Sequence, residues 1–89
     1  MDVKIESLEN HSLKIMGIDN WPVWTKEKSI FDWHYDTIEE CYILDGRVKI
    51  HTENGESFEI KKGDFVTFEE GLSCRWEVLE TIKKHYRFK

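Results

Sequence analysis

Six residues could do chemistry together. Glu39, Trp33, Tyr35, Cys41, Cys74 and Trp76 all fall on one side of their segments when side chains alternate as they do in extended chain. Glu39 would be a lone carboxyl among rings and thiols. Desolvation favours its neutral form there, which is the setting of a general acid or base. Trp33, Tyr35 and Trp76, with Cys41 and Cys74, would make an apolar bowl with a few convergent polar groups, the usual character of a small-molecule site. Arg75 alternates to the opposite face, so Cys74 lacks the close cation that would make it a thiolate nucleophile. Each residue also has a purely structural reading. Small barrels fill their interiors with side chains, and a buried free cysteine packs as a small hydrophobe. Glu39 resists that reading, because an inward carboxylate is costly without a partner. It needs the Tyr35 hydroxyl, a water or a ligand.

The elements that must position these residues read as short strands separated by glycine turns. Residues 29–35 set Phe31, Trp33 and Tyr35 against Ile30, Asp32 and His34. Residues 40–44 and 47–51 read as two strands joined by a hairpin at Asp45-Gly46. A second hairpin is predicted at Thr52-Glu53-Asn54-Gly55-Glu56, and a turn at Lys62-Gly63. These bracket strands at 57–61 and 64–68, the latter buried on both faces. Residues 72–79 alternate Cys74, Trp76 and Val78 against Arg75, Glu77 and Leu79. Residues 81–88 alternate Ile82, Lys84, Tyr86 and Phe88 against Lys83, His85 and Arg87. Seven or more short strands with little helix predict an all-β, two-sheet jelly-roll barrel.

The flanks are less patterned. Ser7 is a candidate N-cap for a short helix across 7–18, with an irregular edge segment as the other reading. Trp21-Pro22-Val23-Trp24 holds the sole proline and predicts extended edge structure. Lys83-Lys84-His85 with Arg87 reads as a solvated basic patch that discourages edge pairing. His34, His51 and His85 are predicted on exposed strand faces.

At 89 residues, the expected organisation is an N-terminal segment (1–20) packed on one barrel domain (21–89). Aromatic residues, 13% of the chain, supply core bulk in so short a sequence. The net charge of −5 offers no basic footprint for nucleic acid. No apolar run approaches the ~20 residues of a membrane span, and the polar start is unlike a signal peptide, so a cytoplasmic location is expected. Two cysteines without close spacing are expected as free thiols.

The spacing also resembles a family. Glu39 followed by Gly46, then Gly63, Glu70, Gly71 and Cys74, resembles the two motifs of the cupin superfamily. Within it, Trp33-His34-Tyr35 and Glu39-Glu40-Cys41-Tyr42-Ile43-Leu44-Asp45-Gly46 resemble a small single-domain branch related to ureidoglycine aminohydrolase and ethanolamine-utilisation cupins. The likeness spans residues 21–89 and implies a cupin-type double-stranded β-helix. It also implies where a metal would sit. The histidine pair of the first motif maps onto Trp33 and Tyr35 in one register, or Asp32 and His34 in the other, and alternation favours the first. The third histidine maps onto Cys74, leaving Glu39 alone retained. No metal or cofactor is therefore expected. The leading expectation is a small organic metabolite bound in the barrel interior, with Glu39 as candidate catalytic residue and Trp33, Tyr35, Cys41, Cys74 and Trp76 as its contacts. One alternative is a metal-dependent enzyme of nitrogen-compound or sugar metabolism using Glu39, His34 and Cys74. Another is a non-catalytic barrel that pairs through outward Tyr42, Leu44 and Phe68. A homodimer is expected, with no nucleic-acid or membrane partner.

Overall fold

Asp45-Gly46 does not turn the chain back. In the computed structural model, which describes residues 3–7 and 14–89, these two residues lie inside one continuous strand. The strands are β1 (Val3–Ser7), β2 (Val23–Lys26), β3 (Ser29–His34), β4 (Glu39–Thr52), β5 (Ser57–Lys61), β6 (Asp64–Phe68) and β7 (Ser73–Phe88), with a 3-10 turn at Ile18–Asn20. All recorded pairings are antiparallel. The hydrogen-bonded path runs β1-β6-β4-β7-β2, with β3 also on β7 and β5 also on β4.

The two predicted strand pairs 40–44/47–51 and 72–79/81–88 are thus two long strands. A break in register explains why they read as four: the β4–β7 ladder shifts between Ile43 and Val48. Such a bulge bends and twists both strands without ending them. Gly46 has φ 92°, and a Cβ there would lie 2.2 Å from the Thr81 carbonyl oxygen. The glycine that looks like a hairpin signal therefore serves a close backbone crossing. Hairpin and bulge share the same residue chemistry.

Beyond the bend, β4 and β7 change neighbours. Residues 39–42 of β4 pair with β6, whereas residues 47–51 pair with β5. Likewise β7 pairs with β3 through residues 73–78 and with β2 through residues 82–85. Both long strands therefore belong to both halves of an all-β barrel. Its core includes Val48, Ile50, Ile60, Val66, Trp76, Val78 and Ile82, all nearly inaccessible.

Other expectations are confirmed or corrected locally. The turn at residues 53–56 closes through Thr52 N–H to Glu56 O at 2.9 Å, and β2 occupies the predicted edge. Ser7 is not an N-cap; it ends β1, which pairs with β6. Residues 8–13 of the predicted helix lie outside the described residues, and the described remainder is α-helical at 14–16. Phe68 is not outward: it is fully buried and stacks on Tyr35 at 4.7 Å and 7°. Tyr42 and Leu44 are half-buried. His51 and His85 are also half-buried, His51 bridging Ser57 and Glu77 and His85 meeting the Trp21 carbonyl. The basic run 83–87 is no solvated edge, since β7 is flanked by β4 and β2 and Lys84 is buried.

Gly46→Ala is expected to destabilise the fold by ~3 kcal/mol or more, combining left-handed strain with overpacking. Gly55→Ala shares a positive φ of 85° but meets nothing within 4 Å, and should cost about 1 kcal/mol. Urea unfolding of the two variants checks the difference.

Candidate functional site

Alternation along β7 carries Lys84 to the same side as Ile82, into the barrel. Alternation along β4 carries Glu39 to the side of Cys41 and Ile43. Lys84 stands opposite Ile43 in the ladder and Glu39 opposite Phe88, so the two side chains reach toward each other along the sheet. Lys84 Nζ donates to Glu39 Oε2 at 2.8 Å, with only 6% and 4% of the two side chains exposed. This supplies the partner that Glu39 needed. Glu39 is consequently not the lone carboxyl of an apolar bowl, but one half of an ion pair.

The ammonium is held from its other sides by rings. Nζ lies 4.8 Å from the Trp76 centroid, 4.9 Å from Trp24 and 5.9 Å from Tyr86, within cation–π range. Phe31 stacks on Trp76 at 5.9 Å and 14°, and Trp24 meets Trp76 edge-on at 77°. These groups wall a cavity of about 210 Å³, also lined by Trp33, Tyr35 and Phe88. At ~30 Å³ per water that is room for roughly seven waters. That volume is on the scale of a small molecule.

Tyr35 is fixed by backbone as well as by packing. Its N–H donates to Leu72 O at 2.9 Å and its carbonyl accepts from Gly71 N–H at 2.7 Å. Its hydroxyl accepts from Trp76 Nε1 at 3.2 Å, while the Glu39 carboxylate is engaged by Lys84. Burial pushes the Tyr35 hydroxyl far above its ordinary range, and the Glu39 charge adds to that. It therefore stays neutral.

The other candidates divide. Trp76 is buried on the cavity wall, but Trp33 is 49% exposed and forms part of the rim instead of an inner face. The reason is position: Trp33 lies near the end of β3, opposite Cys74, where β7 begins. Cys41 is wholly buried between the Val66 and Tyr86 positions of its neighbouring strands and is not among the cavity-lining residues. Cys74 lines a second, open groove of about 920 Å³ with His34, His51, Ser73 and Arg75, which adjoins the cavity at Trp33. Neither thiol is activated. Burial pushes Cys41 up to about 12, Lys84 opposing and Glu39 adding. Burial likewise pushes Cys74 up to about 11, with the Trp76 N–H opposing. Arg75 points outward, as alternation predicted, and pairs with Asp32 at 2.9 Å.

A metal does not fit these side chains. Among the described residues no three His, Cys, Asp or Glu groups converge to hold one. His34 pairs with Ser73 Oγ at 2.7 Å on an exposed strand face, away from the Glu39 carboxylate that Lys84 engages. The alternative ligand set Glu39, His34 and Cys74 is therefore not assembled.

The barrel and its glycine spacing agree with a family match. The EutQ-like cupin domain model matches residues 13–86. The chain belongs to that family. This cupin is similar to a DUF861 family protein from Thermotoga maritima, with 52% identity over 99% of this chain and 100% of that one, at a TM-score of 0.98. It is also similar to a DUF861 family protein of unknown function from Pseudomonas syringae, with 28% identity over 72% of this chain and 28% of that one, at 0.66. The Clostridium difficile EutQ protein shares the fold at 18% identity over 94% of this chain and 64% of its own, at 0.67. No curated protein matches the chain.

Sequence reasoning about the cupin missed Lys84 as a site residue. Its signal was a single charge interrupting the apolar series Ile82, Tyr86 and Phe88, and proximity to Lys83, His85 and Arg87 disguised it as surface.

Lys84→Met leaves a buried carboxylate without its cation and should cost ~3–5 kcal/mol, whereas Glu39→Leu/Lys84→Met should recover most of that loss. Urea midpoints decide. The thiols set a second expectation. Their folded values of about 12 and 11 lie above the ordinary 9, so the folded chain keeps protons that the unfolded chain releases. That contribution is full below pH 9 and fades as pH rises through 11 and 12. Stability should fall over that window, less steeply in Cys41→Ala, as followed by urea titrations at stepped pH.

Proposed function

We propose that this cupin binds a small organic metabolite in the cavity above the Glu39–Lys84 pair, and does so without a metal ion. The observation that carries the reading is an ammonium–carboxylate pair set into the wall of an aromatic-lined cavity. Rings alone would be ordinary core filling. A buried ion pair is weak support for stability and often no better than apolar packing of the same volume, so its position on a cavity wall calls for a role beyond cohesion. Lysine carries three N–H donors, and one of them serves Glu39 Oε2. A ligand oxygen would receive another, in a charge-assisted bond strengthened by the low surrounding dielectric. In a metal-binding cupin, a cation polarises the ligand; here the ammonium offers a fixed positive charge for that purpose. Glu39, hydrogen-bonded to that ammonium, is the candidate general base for a ligand proton brought into reach.

Indole resonances of Trp24 and Trp76 report directly on this cavity. In a fragment screen they are expected to shift with small polar ligands, and the shifts should vanish in Lys84→Met. Ligands that perturb only the outer groove, or binding unchanged by Lys84→Met and Trp76→Leu, would remove the proposal. Stoichiometric metal in the purified protein, lost in Glu39→Gln, would remove its metal-free part.

A further inference from the structure

The cavity's charge balance and hydrogen-bonding edge narrow the ligand further, an inference that rests on the binding role proposed above. Among its lining residues, Glu39 and Lys84 are the two that carry charge, and they neutralise each other at 2.8 Å. The remaining lining is Trp24, Phe31, Trp33, Tyr35, Trp76, Tyr86 and Phe88 (aromatic throughout). We infer that the site selects uncharged carbonyl compounds bearing an N–H or O–H beside the carbonyl, such as small amides, lactams and hydroxyketones.

Both kinds of charged ligand are disfavoured by the same arithmetic. A carboxylate would form one bond to Lys84 but leave the ring-lined site with a net negative charge beside the buried Glu39. Burying a charge without a counter-ion is the expensive case. The cavity wall already resists negative charge, since burial, with the Glu39 charge adding to it, raises the Tyr35 hydroxyl that lines it. An organic cation would have to share Glu39 with Lys84 and approach rings of Trp24, Trp76 and Tyr86 that the ammonium already faces. Like charges at such separations repel strongly inside a protein.

A neutral carbonyl compound with an adjoining donor escapes both costs. Its oxygen accepts from Lys84 Nζ while its N–H or O–H donates to the Glu39 carboxylate. The ion pair presents donor and acceptor side by side, so the two bonds form together and neither charge loses its partner. The flat walls suit a planar group, and about 210 Å³ limits the ligand to roughly one ring or a short chain.

Four single-ring probes of matched shape test this on the wild-type protein: benzamide, acetophenone, benzoate and benzylamine. Titrations followed through the Trp24 and Trp76 indole signals are expected to rank benzamide at least tenfold tighter than benzoate and benzylammonium. Acetophenone, which lacks the donor, should fall between. Benzoate or benzylammonium binding as tightly as benzamide would overturn the ligand class while leaving the cavity as a binding site. No shift with any of the four at millimolar concentration would take down the class and the binding role together. The ranking needs no variant to fold; where Lys84→Met does fold, its benzamide affinity should drop tenfold or more.

Discussion

An ammonium drawn almost wholly out of solvent must be surrounded by groups that tolerate it, and the Glu39–Lys84 pair imposes that requirement on the barrel. One carboxylate supplies the counter-charge, and the faces of Trp24, Trp76 and Tyr86 supply the rest. Those rings come from β2 and β7, and Glu39 from β4, so three strands must be in register before the pair can form. The aromatic stacking of Phe31 on Trp76 and of Tyr35 on Phe68 then fixes the ring orientations. The polar pair is thus a specification on the packing as much as a product of it.

A second ion pair shows that burial alone does not make a site. Glu40, next in sequence to Glu39, is also buried and bonds Arg87 at 2.8 Å, with Lys89 at 3.4 Å. Alternation sends it to the other face, where the Arg87 guanidinium covers Trp21 at 4.4 Å. Two of these partners remain substantially exposed, so water shares the charge there. Adjacent glutamates therefore have different chemistry for no reason except strand parity.

Parity is also what made most of the fold legible. β5 and β6 fall where alternation and glycine turns placed them, and Phe31 is half-buried and Tyr35 buried while Ile30, Asp32 and His34 are exposed, as their alternation predicted. The failures have identifiable causes. Asp45-Gly46 suits a hairpin or a bulge equally, and only its distant neighbour Thr81 distinguishes them. β1 pairs with β6, more than fifty residues away, and nothing local in Val3–Ser7 announces it. Trp33 obeys its alternation yet lies at a strand end, where facing inward no longer means being covered. At the site, Glu39, Tyr35 and Trp76 were readable as inward residues. The cation was not, because a lysine among basic neighbours carries the same letter whether it is solvated or enclosed.

The two long strands have a consequence for how the barrel comes apart. Because β4 and β7 each run through both halves, loosening one half disturbs the strands that hold the other. Their ladder sets residue 39 beside residue 88, so closing the barrel waits on a contact spanning more than half the chain. The molecule is built like a strap passed twice through one buckle: it assembles late, and it releases all at once.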